Sequence, residues 1–450
     1  MQSTVDLAVI GTGAAAAAVA YECRSAGWSV SVIDSRPFGG TCELRGCDPK
    51  KVLVGGAELA DWNRRMAGRG AGAAVSTVDW PALMRFKRTF TDPVPEANEA
   101  AFARAGIGMA HGRARFVGRT TLRIGDDTLA AQHIVIAAGA RHADLGIPGE
   151  ALLTTSTQFL EFEHLPRRVV FVGGGYIGFE FAHVAARAGA HVEIVHRGPQ
   201  PLRRFDPDLV GMLVETTREL GVTVHLDTAV TGLERHGDEL LVHVSRGGAA
   251  ATIATDLVVH SAGRVPEIDD LDLEAGEVAR EAAGVAVNEH LQSVSNPAVC
   301  AAGDAVASGG FPLTPVAGMQ GRIVASNLLK GNHRRPDYRG IPSVAFTVPP
   351  LAAVWLGEAA AREQGLRFRT NLQDTSGWYS SRRVGLARTA VKVLVEEDTD
   401  RILGAHLLGE HAGETINLFG LAIRANLRAD DLRHMVYAYP TAASDVPHML

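Results

Sequence analysis

The segment "VDLAVIGTGAAAAAVAYECRSAGWSVSVID", residues 5–34, constrains the fold more than any other, because its pattern returns about 160 residues later as "RRVVFVGGGYIGFEFAHVAARAGAHVEIVHR". Each copy reads as a short apolar strand, a glycine turn, a helix rich in small residues and a second strand. In the first, Gly11 and Gly13 allow a tight turn and close approach of backbone to a pyrophosphate, and the small Ala16 lets helix pack on strand. The helix N-terminus offers amide N–H groups to the phosphates. Asp34, 23 residues after Gly11, is placed to accept hydrogen bonds from a ribose. In the second copy Gly173, Gly175 and Gly178 keep the frame, but the acid is replaced by His196, followed by Arg197 and, six residues beyond, Arg203. An acid pairs with a free 2′-hydroxyl, whereas arginines suit a 2′-phosphate. The first site is therefore predicted to hold the adenine half of FAD and the second NADPH, the alternative for Arg197 and Arg203 being a solvated charged loop. Two different dinucleotides in one chain point to electron transfer from nicotinamide to flavin.

The remaining chain is compatible with that chemistry. A length of 450 residues leaves room for about three domains. The 44 basic and 50 acidic side chains give a net charge of −6 with no long basic run, which argues against a nucleic-acid partner. The apolar start lacks a basic leading region and is broken by Asp6, Gly11 and Gly13, so it reads as strand and helix rather than a signal peptide. No uncharged apolar run is long enough to span a bilayer, and no membrane partner is expected. Four cysteines are too few for a disulfide framework, so a reducing cytoplasmic setting is expected. The stretches "HIVIAAGARHADLGIPG" (133–149) and "LVVHSAGRVPE" (257–267), the latter containing Gly263, read as returns of the chain to a sheet edge at domain crossings. "NPAVCAAGDAVA" places Asp304 after a buried strand, where a carboxylate could hold the ribityl hydroxyls of a flavin or simply cap a helix, with Cys300 as a small core residue.

"GGTCELRGCDPKK", residues 39–51, sets two of the four cysteines, Cys42 and Cys47, five positions apart. On a regular helix that spacing is a rise of about 7.5 Å, beyond comfortable disulfide reach. A bridge therefore requires a distorted segment, and Gly39, Gly40 and Gly46 supply the freedom. A small distorted ring is easily reduced, which suits a redox pair better than a structural staple. A zinc site would need two further ligands, and no second cysteine pair or ordered histidine pair is present in the sequence. Two inert buried thiols are the remaining alternative.

This segment resembles the redox segment of the pyridine nucleotide-disulfide oxidoreductases, the group containing glutathione reductase, dihydrolipoamide dehydrogenase and mercuric reductase. The likeness extends over almost the whole chain through "VIGTGAAA", "VGGGYIGFE", "AGRVPE", "AAGDA", "LTPVA", "IPSVAFTVPP" and "LGAHLLGEHAGE". The resemblance implies that Cys42 is the interchange thiol facing substrate and Cys47 the thiol against the flavin. It implies Lys51 near the flavin with Glu180 as its partner, Tyr176 as a gate over the flavin, and Gly40, Thr41, Thr314 and Gly263 at the cofactors. The helix opening at "LTPVA" would aim its positive end at the flavin. The architecture implied is α/β. An FAD domain is formed by 1–150 and 264–335, an NADPH domain by 151–263, and a C-terminal α+β interface domain by 336–450. The expected assembly is a homodimer with the active site shared between subunits.

The pattern breaks near the end. Disulfide-reducing members supply an imidazole from a His-Pro-Thr segment with a glutamate five residues on, and "VYAYPTAASDVPHML" puts Tyr439 and Ser444 there, with Asp445 one residue late and His448 beyond. A phenol with an ordinary pKa near ~10 is a poor base at pH 7. Glutathione reduction and dihydrolipoamide oxidation are thus disfavoured. Three readings follow: a reductase, or in reverse an oxidase, of a non-standard small thiol or disulfide; a reductase of a metal ion or quinone; or a flavin-holding redox sensor. Mercuric reductases are similar in carrying a tyrosine here, but the vicinal cysteine pair they normally carry at the C-terminus has no counterpart among these four cysteines.

Overall fold

The computed structural model describes residues 2–70 and 78–450. The chain divides into two compact units, Met1–Lys50 with Phe86–Ala143 and Arg264–Asp337, and Lys51–Arg85 with Asp144–Gly263 and Tyr338–Leu450.

The first unit is built on a seven-stranded sheet. Its parallel part runs Gly108–His111, Val30–Asp34, Gln2–Ile10, Asp127–Ile136 and Val299–Ala301. Strand Asp127–Ile136 serves two neighbours on one edge: its first half pairs antiparallel with Thr121–Ile124, and its end pairs parallel with Val299–Ala301. Leu7, Ala8 and Val9 are wholly buried in sequence, the unbroken apolar run that a sheet covered on both faces demands. Helix Ala14–Ser25 buries Ala15, Ala16, Val19 and Ala20. Its small residues admit helix Thr314–Lys330 so closely that a Cβ on Gly321 would stand 2.5 Å from the Ala15 carbonyl oxygen.

The second unit carries a parallel sheet in the order Thr223–His225, His191–Val195, Arg168–Val172, Leu257–His260 and Thr154–Thr155. A three-stranded antiparallel sheet, Thr228–His236, Glu239–Arg246 and Ala249–Thr255, follows it in the chain. The C-terminal part forms a five-stranded antiparallel sheet, Pro342–Ala345, Leu351–Trp355, Ile402–Leu408, Ala390–Glu396 and Phe368–Asp374, with helix Ala412–Ala425 packed on it. A polar knot lies inside this unit. Lys392, 2% exposed, reaches Asp206 at 2.8 Å, Asp208 at 2.5 Å and Glu358 at 3.1 Å. Burial opposes its charge, but hydrogen bonds to Asp206, Asp208 and Glu358 outweigh that cost and hold its pKa above the usual lysine value. Asp206 also caps helix Pro207–Glu219, so one lysine ties that helix to the C-terminal sheet.

Candidate active site

The first glycine turn is a cradle in which side chains have no room. Gly11 sits at φ +112°, and a Cβ there would stand 2.3 Å from the Ala137 carbonyl oxygen. A Cβ on Gly40, at φ +70°, would meet the Gly13 Cα at 2.5 Å. Two turns thus meet backbone against backbone. Gly13 caps helix Ala14–Ser25 without a side-chain hydrogen bond, and the first helical turn holds no acid, so its N–H groups are left for an incoming anion. At the end of strand Val30–Asp34, the Asp34 carboxylate accepts from the Thr12 hydroxyl at 2.7 Å and the Arg36 N–H at 3.0 Å, with lone pairs to spare for a sugar. Gly11, Gly13, Asp34, Arg36, Gly40 and Thr41 line one open cleft. These residues fit the adenosine diphosphate half of a dinucleotide. Asp304 lies in the short 3-10 turn Gly303–Ala305, with Arg264 at 3.8 Å. That turn is held to helix Thr314–Lys330 by Gln320, whose side chain accepts from the Gly303 N–H at 2.7 Å.

The cysteines stand at a helix break. Helix Gly40–Arg45 ends at Gly46 (φ −144°, ψ −108°), and helix Cys47–Met66 starts at once. Cys47 therefore occupies a helix N-terminus. Thr314, the first residue of helix Thr314–Lys330, brings its hydroxyl to 3.5 Å from Cys47 Sγ, so two helix N-termini converge on one sulfur. Both cysteines are free thiols in this structure. The Cys42 thiol donates to Cys47 and, together with the Thr314 hydroxyl and the Lys50 charge, overcomes burial and Asp48 to bring Cys47 down to about 6. Cys42 is pushed the other way by its bond to Cys47 and by burial. The sulfur–sulfur hydrogen bond favours a pair that shares one proton, with Cys47 the more readily ionised of the two. Cys42 Sγ also lies 3.9 Å from the Asp48 carboxylate. The other two cysteines differ: burial pushes Cys23 and Cys300 up to about 12, which makes them inert core residues.

Two comparisons of sequence and one of structure bear on this arrangement. Residues 5–321 match the family model described as pyridine nucleotide-disulphide oxidoreductase, and residues 341–450 match its dimerisation domain. The chain belongs to the pyridine nucleotide-disulphide oxidoreductases. It is 30% identical to a glutathione reductase of Burkholderia cepacia over 98% of this chain and 97% of that one. It is 33% identical to a mercuric reductase of Streptomyces lividans over 97% and 94% respectively. A solved structure, the Cu(II) complex of the HOCl-induced flavoprotein disulfide reductase RclA from Escherichia coli, superposes with a TM-score of 0.89 at 27% identity, covering 99% of both chains. The family works with FAD and a nicotinamide cofactor, and the protein is an oxidoreductase.

In this oxidoreductase the second glycine turn lies in the second unit. Gly173, at φ +112°, follows strand Arg168–Val172, and a Cβ there would stand 2.5 Å from the Ala262 Cα. Gly175 caps helix Tyr176–Arg187, whose Gly178 has no space for a side chain against the Gly173 carbonyl oxygen at 2.5 Å. His196, in the place of the acid, turns its ring into the loop: Nδ1 accepts from the Gly174 N–H at 3.1 Å and Nε2 donates to the Gln200 carbonyl at 3.0 Å. Burial first, and then Arg203 and Arg197, favour its neutral form. Arg197 and Arg203 are exposed beside it, Tyr176 is 45% exposed, and Gly263 sits at φ +123° with open space around it.

The structure corrects one residue. Lys51 is half exposed and pairs with Glu58 at 2.9 Å, its ammonium lying 4.9 Å from the centre of the Phe346 ring. Its carboxylate partner is therefore Glu58 rather than Glu180, which is buried and accepts from the Phe346 N–H at 2.7 Å. The lysine whose charge acts on Cys47 is the preceding, buried Lys50. Sequence reasoning also passed over Asp48 and Arg45, although both lie within the cysteine segment. In the C-terminal segment Tyr439 is 81% exposed and precedes Pro440 across a cis peptide. Ser444 is occupied in the capping box of Thr441, donating its N–H to Thr441 Oγ1 and its hydroxyl to the Thr441 carbonyl. The His448 ring packs edge-on against Trp378 at 6.2 Å, and Asp445 is half-buried in the same 3-10 helix.

Proposed function

We propose that the protein is an NADPH-dependent reductase that passes two electrons through the Cys42–Cys47 pair to a small disulfide whose departing thiolate is weakly basic. The observation that carries this reading is the pairing of two free thiols at one helix break, with Cys47 at a helix N-terminus and the Thr314 hydroxyl 3.5 Å from its sulfur, in a chain that has Tyr439 where an imidazole would assist a more basic leaving thiolate. FAD bound in the first cleft supplies the two-electron relay between the nicotinamide and the sulfur pair. Gly11, Gly13, Gly40, Thr41 and Asp34 would hold its adenosine diphosphate half and Asp304 its ribityl chain, with Lys50 taking the place first given to Lys51. Arg197 and Arg203 favour NADPH over NADH by charge. The division into an FAD domain (1–150 and 264–335), an NADPH domain (151–263) and an interface domain (336–450) belongs to the same reading, as does a homodimer in which Tyr439 serves the partner's site.

The sulfur steps balance without an external oxidant. Transfer of the shared proton from Cys42 to Cys47 puts the anion on Cys42, which attacks one sulfur of the acceptor. A mixed disulfide forms and the first thiolate leaves. Cys47 gives the shared proton up to solvent, attacks Cys42 and expels the second thiolate, closing the Cys42–Cys47 disulfide with two electrons delivered, two thiolates released and one proton lost to water. No imidazole is needed where the departing thiolates are stable at pH 7.

A second reading, a soft divalent metal ion as the substrate, is favoured by Asp48. Its carboxylate 3.9 Å from Cys42 Sγ attracts a cation to the reacting sulfur and repels an anionic disulfide. NADPH oxidation measured against neutral disulfides, glutathione disulfide, Cu(II), Hg(II) and quinones, with wild type and Cys42→Ser, tests both. Disulfide or metal turnover lost in the variant is expected. Turnover confined to quinones and untouched by Cys42→Ser would remove the cysteine pair from the route.

A further inference from the structure

Arg45 is the unexplained cation of the cofactor cleft. It ends the short helix Gly40–Arg45, three residues after Cys42 and two before Cys47. Its side chain lines the cleft bounded by the Gly11–Gly13 turn and Asp34. Its Nε is buried without a hydrogen-bond partner among the described residues. A buried guanidinium N–H left unmet is costly, so such a group marks the place of an acceptor that arrives from outside the chain.

The neighbouring charges say what that acceptor is. Arg36 is neutralised by an ion pair with Glu267, and Arg264 donates to the Ala140 carbonyl and faces Asp304 at 3.8 Å. The Asp34 oxygens are engaged by Thr12 and Arg36. Burial, and then Arg36, work against the Arg45 charge, with Asp34 and Glu267 only partly countering them. Arg36, Arg45 and Arg113 line the cleft beside an uncapped helix N-terminus; Arg113 is paired with Asp270 as Arg36 is with Glu267, and the one guanidinium of the three without a carboxylate contact among the described residues projects from the cysteine segment. Anionic oxygens in a forked arrangement match a guanidinium, and a diphosphate offers them.

We infer that Arg45 is a ligand of the cofactor's diphosphate, contributed from between the two redox cysteines. This rests on the reading of the cleft as the FAD site. Arg45 and Cys42 share one helix of six residues, so the contact fixes the backbone that carries the reacting sulfur at the same time.

Flavin-free full-length protein is titrated with FAD, following flavin fluorescence, and with ADP as a competitor, for wild type, Arg45→Met and Arg45→Lys. Thermal unfolding is recorded for each without ligand. Arg45→Met is expected to weaken FAD and ADP alike by roughly ten- to a hundredfold, the loss of a charge-assisted contact. Arg45→Lys is expected to fall between. The ligand-free Arg45→Met protein should melt no lower than wild type, because a half-buried cation with an unmet buried N–H has been removed. Equal FAD affinity in wild type and Arg45→Met overturns the assignment and leaves the FAD reading intact. A lower melting temperature of ligand-free Arg45→Met makes Arg45 a structural residue and overturns it too. Wild type that fails to bind FAD removes the underlying reading and the inference with it.

Discussion

Replacing Cys42 by Ala separates the hydrogen bond from the other groups that ionise Cys47. In the intact pair the Cys42 donor is the largest of the forces that bring Cys47 to about 6, ahead of Thr314 and Lys50. With a thiol pKa about 6, nine-tenths of Cys47 is thiolate at pH ~7, and a rise of about two units leaves roughly one-tenth. Cys42→Ala is therefore expected to slow alkylation of Cys47 at pH 7 by several-fold up to about tenfold, with the midpoint of the pH profile moved toward ~8. The assay is iodoacetamide labelling of the reduced protein read by mass spectrometry, supported by thiolate absorbance over the same pH range. Adding Thr314→Val should raise the midpoint further, since only Lys50 then remains among the favourable groups named. A Cys42→Ala midpoint still near 6 would show that the helix termini and Lys50 suffice and that the thiol-to-thiolate bond has been given too much weight. The same ionisation sets a stability window. The folded value lies below that of an unfolded thiol, so the reduced protein gains stability as pH rises from about 6 to about 9 and keeps none of that gain below 6.

Three further outcomes can be checked. Gly11→Ala forces a side chain against the Ala137 carbonyl at a left-handed φ and should cost roughly 1–3 kcal/mol of stability together with flavin retention, read by thermal unfolding and by the flavin content of the purified protein. Lys392→Met leaves Asp206, Asp208 and Glu358 uncompensated and should destabilise by about 3–5 kcal/mol in denaturant unfolding, with an unchanged midpoint counting against a structural role for the knot. Arg197→Ala and Arg203→Ala should each lower kcat/KM for NADPH by roughly tenfold or more while sparing NADH, and equal losses with both cofactors would assign the arginines elsewhere.

The two glycine turns were legible as turns because they rest on local geometry: a Cβ has no place at Gly11, Gly173 or Gly178, and no other residue type can stand there without movement of the backbone. The position of Asp34 was legible for the same reason, since strand Val30–Asp34 ends there and its carboxylate reaches Thr12 of the turn. The lysine was not. Lys50 and Lys51 are adjacent, about 100° apart around a helix, and which one faces the sulfur depends on where the helix restarts after Gly46. Composition and spacing do not report that phase. The Lys392 knot was equally hidden, because its partners come from residues 206, 208 and 358 and no local pattern links them. Arg45 reads on paper as one more helix-terminal cation, and what distinguishes it is a buried Nε that meets no partner among the described residues.

Gly46 has an effect that reaches beyond the sulfur ring. A Cβ at this position would press on Thr41, standing 2.9 Å from its carbonyl oxygen and 3.2 Å from its methyl carbon, and Thr41 is part of the wall of the cleft proposed for FAD. On the FAD reading, a clash made at the cysteine loop is thereby passed to the cofactor: Gly46→Ala should yield protein colourless in its visible spectrum, a loading defect that originates between the two thiols.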